Sequence, residues 1–233
     1  MRNPLSKTIE QIKPSGIRKF FDIVSEMPHA ISLGVGEPDF DTPWHVRSEG
    51  IRSLEKGRTF YTSNSGLIEL RQEICKWYQR KYNLLYDYKT EALLTVGGSD
   101  GIDVALRAML DPGDEVIIPE PCYVSYVPCV QLIGAVPVTI ELKNENQFRL
   151  TPEELLAAIT DKTKILILAF PSNPTGAVMT KEDLEPIAKI CQEKDIYVIS
   201  DEIYSELTYG GQKHCSISSL PGKIGRASCR ERV

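Results

Sequence analysis

The sequence predicts an α/β fold, a mostly parallel sheet flanked by helices. Three observations predict it. Short apolar segments alternate with longer segments of helical period between residues 91 and 200. The runs Val116-Ile117-Ile118 and Ile165-Leu166-Ile167-Leu168 are apolar at every position, as strands covered on both faces must be. Turn-forming clusters punctuate the alternation, Asp111-Pro112-Gly113-Asp114 being the strongest.

Taken in order, residues 1–40 read as irregular, with Gly34, Gly36, Pro38 and Asp39 clustered after Ala30-Ile31-Ser32-Leu33. Residues 43–56 read as a helix, with Pro43 at its first position and Gly57 past its end. Residues 66–81 carry Leu67, Leu70, Ile74, Trp77 and Tyr78 at helical spacing. Ala92-Leu93-Leu94-Thr95-Val96 reads as a strand, and Gly97-Gly98-Ser99 leads from it into a helix with Ile102, Ala105, Leu106 and Met109 on one face. Residues 115–118 are a strand, 123–133 a helix and 136–140 a strand, in which Pro137 favours an edge or a strand start. Thr151 is an N-cap followed by Pro152 and two acids in the first turn. Residues 165–168 are a strand. Residues 180–194 are a helix with Leu184, Ile187, Ala188 and Cys191 inward, and 196–200 are a strand.

Composition excludes several classes. The chain has 233 residues, 42% hydrophobic and 25% charged, the profile of an ordinary globular protein large enough for one or two domains. Its net charge of −5 argues against nucleic acid as a partner, because phosphate binding needs a basic face. The longest apolar run, residues 165–170, falls far short of the ~20 residues a membrane helix needs. No secretory pattern follows Met1 and the six cysteines show no CxxC spacing, so the expectation is a cytoplasmic protein with reduced thiols. Three scattered histidines suggest no metal site.

Ligands of open α/β sheets bind beyond the carboxyl ends of the strands, and four such ends are unusual here. Gly97-Gly98-Ser99-Asp100 offers small residues and free amides at a helix start, suited to an anion. Asp100 and Asp103 should then point away from it. The prolines of Pro171-Ser172-Asn173-Pro174 stiffen the loop that carries the Asn173 amide. Asp201-Glu202-Ile203-Tyr204 sets a carboxylate at a strand end, where it is either solvated or paired with a cation. Pro121-Cys122-Tyr123 offers an aromatic face. Singly, each reads equally well as a plain loop or as core packing.

Together, in this order and spacing, they are specific. With Gly34-Val35-Gly36-Glu37-Pro38-Asp39-Phe40, Tyr61 before Gly66, Thr95-Val96-Gly97-Gly98, Asp111-Pro112-Gly113-Asp114, Asn173-Pro174-Thr175-Gly176 and Ser200-Asp201-Glu202-Ile203-Tyr204, the chain resembles the class I/II aminotransferases. These are fold-type-I enzymes that use pyridoxal 5′-phosphate (PLP). The resemblance spans residues 4–222. It is nearest to bacterial aspartate, aromatic or N-acetyl-diaminopimelate aminotransferase-like members, through Ser15-Gly16-Ile17-Arg18-Lys19-Phe20 and Ser205-Glu206-Leu207-Thr208-Tyr209.

The resemblance implies roles. Gly98, Ser99 and Asp100 would bind the PLP phosphate, Tyr123 would stack on the ring, and Asn173 and Tyr204 would hydrogen-bond the ring 3′-oxygen. Asp201 would pair with the ring nitrogen and keep it protonated. Gly36 would approach the substrate carboxylate. Tyr61 would reach the phosphate of a neighbouring subunit, so a homodimer is expected. The substrates would be an amino acid and a 2-oxo acid.

The implied organisation is an N-terminal arm with part of a small domain (1–40), then an incomplete PLP-binding large domain (41–223). It is a fold-type-I major domain, truncated before its last strands and the C-terminal small domain. In the family's sheet the two following strands insert between residues 92–96 and the rest. Residues 224–233, with three arginines and no apolar period, resemble translated sequencing adaptor and are set outside the fold. The family's Schiff-base lysine has no counterpart: after Tyr204 only Lys213, in a glycine-rich hairpin turn, and Lys223 occur. The 233-residue chain alone is therefore expected to be poorly soluble and inactive. Two other readings of the scaffold are a C–S β-lyase and a non-catalytic PLP-binding module. The module usually follows a DNA-binding helix-turn-helix, and residues 1–40 show no such pattern.

Overall fold

The computed structural model describes residues 3–12, 23, 26, 27, 29, 31 and 40–222, and the backbone of 227–230. The chain divides into two compact units, Lys13–Asn64 and the remainder, Met1–Ile12 with Ser65–Val233.

The first helix was not foreseen. Residues 1–40 were expected to be irregular, but α1 (Lys7–Gln11) forms a short turn because the Ser6 side chain caps it, accepting from the Ile9 amide. In the smaller unit, α2 (Trp44–Glu55) starts one residue later than expected, with Pro43 as its N-cap rather than its first position, and ends before Gly57 at φ +64°, as the glycine predicts.

The larger unit contains α3 (Ile68–Tyr82), α4 (Gly98–Met109), β1 (Glu115–Glu120), α5 (Tyr126–Leu132), β2 (Val136–Glu141), α6 (Pro152–Ala158), β3 (Thr163–Ala169), α7 (Lys181–Glu193), β4 (Tyr197–Asp201) and β5 (Ala227–Arg230). The five strands lie in the order β2-β1-β3-β4-β5, every neighbouring pair parallel. Pro137 sits on the edge strand β2, where its missing N–H breaks no central ladder. Helices α6 and α7 both start in capping boxes, Thr151 with Glu154 and Thr180 with Asp183.

The strand pleat explains the all-apolar runs. On β3, Leu166 and Leu168 enter one core with Leu155 of α6 and Leu184, Ile187 and Cys191 of α7. Ile165 and Ile167 enter the opposite core with Ile102 and Leu106 of α4 and Tyr126 and Val130 of α5. Both faces are covered, so alternation has no polar side to show. Each such side chain contributes about 1.5–3 kcal/mol of burial.

Residues 92–96 do not form the expected strand. A strand exists only by pairing, and these amides turn to local partners. The Leu94 amide donates to the Ser65 carbonyl at 3.2 Å and the Val96 amide to Asp100 Oδ2 at 3.0 Å. Leu93 and Val96 are exposed. The other departure lies at the far end. Residues 227–230, set outside the fold on composition, pair as β5 along β4, Val198 opposite Ala227 and Asp201 opposite Arg230. Backbone pairing at an open sheet edge asks little of side chains.

The turn into β1 ties two strands together. The Asp111 amide donates to Asp114 Oδ2 at 2.8 Å, and Lys164 of β3 stands 2.9 Å from the same oxygen. The amide and then the ammonium hold the Asp114 carboxyl below its ordinary value. A carboxyl depressed in the folded state contributes stability at pH values above its unfolded pKa and loses it as pH falls through its folded one. Asp114→Asn should therefore lower the urea midpoint at neutral pH, with the deficit shrinking below about pH 4. The site is largely solvated, so the effect is small. A deficit constant with pH would contradict this account.

Candidate functional site

Three of the four unusual strand ends share one edge of the sheet. β1, β3 and β4 run in parallel, and Ala169 at the end of β3 pairs with Asp201 at the end of β4. The loops bearing Tyr123, Asn173 and Asp201 therefore leave the sheet in the same direction. α4 joins them because only residues 110–114 separate its end from β1. A 12-residue helix is about 18 Å long and a six-residue strand about 20 Å, so α4 runs back along β1 and opens at the strands' carboxyl ends.

Asp201 is the centre of this edge. It is 5% exposed, and its Oδ2 accepts a hydrogen bond from the Tyr126 hydroxyl at 2.9 Å. Its Oδ1 accepts from the Ile203 amide at 3.2 Å. The Tyr123 ring stands edge-on to that of Tyr126, centroids 5.7 Å apart. Tyr126 was missed in the sequence. It was read as one more helical residue, whereas residues 123–125 form a turn before α5 and the Tyr126 amide returns to the Tyr123 carbonyl. The available signal was the three-residue spacing of two tyrosines at a strand end. A buried carboxylate is costly without partners; this one accepts from the Tyr126 hydroxyl and the Ile203 amide, both neutral donors, and can hold a cation as well.

The start of α4 suits an anion. Gly97 adopts φ +81°, no side chain caps the helix, and the space in front of Gly97 is open for at least 4 Å where a Cβ would lie. The first amides of a helix have no intrahelical acceptor, which leaves those of Gly98, Ser99 and Asp100 as donors. The two nearby carboxylates are engaged elsewhere, as a free anion site requires: Asp100 with the Val96 amide and Asp103 with Arg107 Nε at 2.7 Å.

Asn173 is exposed on a loop closed by hydrogen bonds from Ser172 to Ala177 and from Gly176 to Ser172. Tyr204 is half-buried in the turn after β4. Tyr61 belongs to the smaller unit, where its side chain is fully exposed. Gly36 lies outside the described residues. Lys213 follows the expected glycine turn, in which the Gln212 amide donates to the Tyr209 carbonyl, but no hairpin ladder flanks it.

Cys122, beside this edge, is no nucleophile. Burial, reinforced by Glu120, pushes its thiol up to about 12, so the thiolate is scarce near neutral pH. Among the described residues no group of three or more His, Cys, Asp or Glu side chains could hold a metal ion. No described helix is long and apolar enough to cross a membrane.

Comparison with known proteins gives a consistent result. The family model described as "Aminotransferase class I and II" matches residues 28–230. The chain is 49% identical over 222 residues to the "Putative aminotransferase YugH" of Bacillus subtilis (strain 168), covering 95% of this chain and 57% of that protein. It is 44% identical over 222 residues to "Aromatic-amino-acid aminotransferase 2" of Thermococcus litoralis, again 95% and 57%. The solved aspartate aminotransferase of Thermus thermophilus with maleate superposes with a TM-score of 0.90 at 38% identity, over 97% of this chain and 59% of that one. The chain thus spans somewhat more than half the length of these relatives.

Proposed function

The chain belongs to the class I and II aminotransferases, and on that premise we propose that the whole protein is a PLP-dependent transaminase. It moves an amino group from an amino acid to a 2-oxo acid. Members of the family generally depend on PLP, and the residues at the strand ends fit that group. The observation that carries the reading is Asp201, a buried carboxylate held by Tyr126 and the Ile203 amide at the end of β4. When bound, PLP supplies a protonated pyridine ring that withdraws electrons from the substrate's α-carbon.

Asp201 holds the proton on the ring nitrogen by placing a negative oxygen against it. The open, uncapped start of α4 receives the phosphate on the amides of Gly98, Ser99 and Asp100, supported by the helix dipole. Tyr123 covers the ring, and Asn173 and Tyr204 direct hydrogen bonds at its 3′-oxygen. Gly36 lets the substrate carboxylate approach. Tyr61 acts from a second copy, which makes the working form a homodimer.

The experiment is direct. Full-length protein from the same gene, loaded with PLP, should convert an amino acid to its 2-oxo acid while a 2-oxo acid acceptor gains the amino group. Release of a thiol and ammonia without amino transfer would refute the transaminase reading. The 233-residue chain alone, supplied with PLP and the same donors, should give no turnover, because neither Lys213 nor Lys223 stands in the family's Schiff-base context.

A further inference from the structure

We infer that Glu202 is a positioning residue for Asp201, acting from the opposite face of β4. The strand pleat sends adjacent side chains to opposite faces. Asp201 faces Tyr126 and the core beneath α4 and α5, whereas Glu202 faces the segment before and within the short 3-10 turn Ile217–Ser219. Glu202 is completely buried. Its Oε1 accepts from Ser200 Oγ at 2.9 Å and from Ser216 Oγ at 2.8 Å. Its Oε2 stands 3.1 Å from Nε2 of His214, itself almost fully buried. The two atoms are close but out of hydrogen-bond alignment, and they form an ion pair only when His214 is protonated.

The network reaches further. Ser216 Oγ lies 2.8 Å from Ser218 Oγ, and the His214 ring meets Tyr82 at the end of α3 edge-on, 6.1 Å away. Ile217 and Leu220 anchor the same segment in the core beneath α7. Glu202 therefore fastens residues 214–218 to the end of β4.

The connection to Asp201 runs through the backbone. One Asp201 oxygen accepts the Ile203 amide, and the Ser205 amide returns to the Glu202 carbonyl. That peptide has two tethers, the Ser205 amide at its carbonyl and the Glu202 side chain held on the far face. Releasing the Glu202 side chain loosens the 202–203 peptide, which weakens the Ile203 hydrogen bond to Asp201 while Tyr126 still holds the other oxygen. A buried carboxylate with this many partners is a poor source of net stability, since an apolar residue would pack as well. Fixing one geometry is the role that remains.

The meaning of this inference rests on the proposed function; its first readout does not. In the full-length protein, Glu202→Ala should speed hydrogen exchange of the Ile203 amide about tenfold, the loss of roughly one net hydrogen bond. The Val198 amide within β4 should stay protected. Glu202→Gln keeps an oxygen for both serines and should restore slow exchange. A purely structural role would not move the second readout, the ring-nitrogen resonance of ¹⁵N-labelled pyridoxine 5′-phosphate, which binds without a lysine. In Glu202→Ala that resonance should shift toward the unprotonated position, and Glu202→Gln should return it. If Glu202→Ala does not fold, Ser216→Ala removes one hydrogen bond only and should give the same changes at smaller size. Unchanged Ile203 exchange in the folded variant would overturn the inference. Failure of the wild-type chain to bind the probe would count against the cofactor reading, leaving Ile203 exchange to decide the inference.

Discussion

Asp201→Ala should reduce the turnover of the full-length protein by on the order of a hundred- to a thousandfold, the usual effect of removing one preorganised electrostatic group. Binding at the phosphate end should change far less, because it rests on the start of α4 rather than on β4. The two contributions separate in the measurement: kcat falls while cofactor affinity drops only modestly. Tyr126→Phe provides the graded control. It keeps the carboxylate and removes the 2.9 Å hydrogen bond to it, so it should cost about tenfold at most. The alanine variant also leaves the Tyr126 hydroxyl without this acceptor in a buried place, a penalty of about 1–3 kcal/mol in stability. Circular dichroism must therefore confirm folding before the rates are compared. A folded Asp201→Ala enzyme with wild-type kcat would end the assignment.

The second large effect is on stability. Gly66 adopts φ +90°, and a Cβ built there would lie 2.6 Å from the Cβ and Cδ1 and 2.7 Å from the Cγ of Leu94. Gly66→Ala must therefore hold a non-glycine residue at positive φ, about 1–2 kcal/mol. It must also displace a side chain at its root rather than at a flexible tip, about 1–3 kcal/mol. The sum, roughly 2–5 kcal/mol, should lower Tm by about 4–20 °C for a chain of this size. Leu94→Gly in the same chain removes the Cβ, Cγ and Cδ1 together, and the double variant should be clearly less than additive. An additive pair would show that the clash does not arise. Gly66 matters because it holds residues 65–66 against Leu94, on the approach to the start of α4.

Much of this was legible from the residues alone. The fully apolar runs in β1 and β3 required cover on both faces, and the two cores supply it. Thr151 and Pro152 marked the start of α6, where the capping box is closed. Pro137 favoured an edge or a strand start, and β2 is an edge strand. The motifs at 97–100, 171–176 and 201–204 pointed to the family before any coordinates, because the chemistry of each is local to a strand end. The segment 92–96 went wrong for a definite reason: an apolar pentapeptide states a preference for extended backbone but does not supply its neighbour.

The sequence by itself therefore determined the layering, the helix start at Thr151 and the strand ends before 121, 171 and 202 at which ligand chemistry can sit, because burial and capping are written in the spacing of neighbouring residues. Only the tertiary structure decided that Tyr126 donates to Asp201 across 75 positions of chain, and that Glu202 turns away from it to meet Ser216 and His214. Such pairings depend on strand order and on which helix covers which face, which periodicity does not encode. A hydrogen bond forms or fails over a few tenths of an ångström, and that distance is fixed only when the whole sheet has been packed.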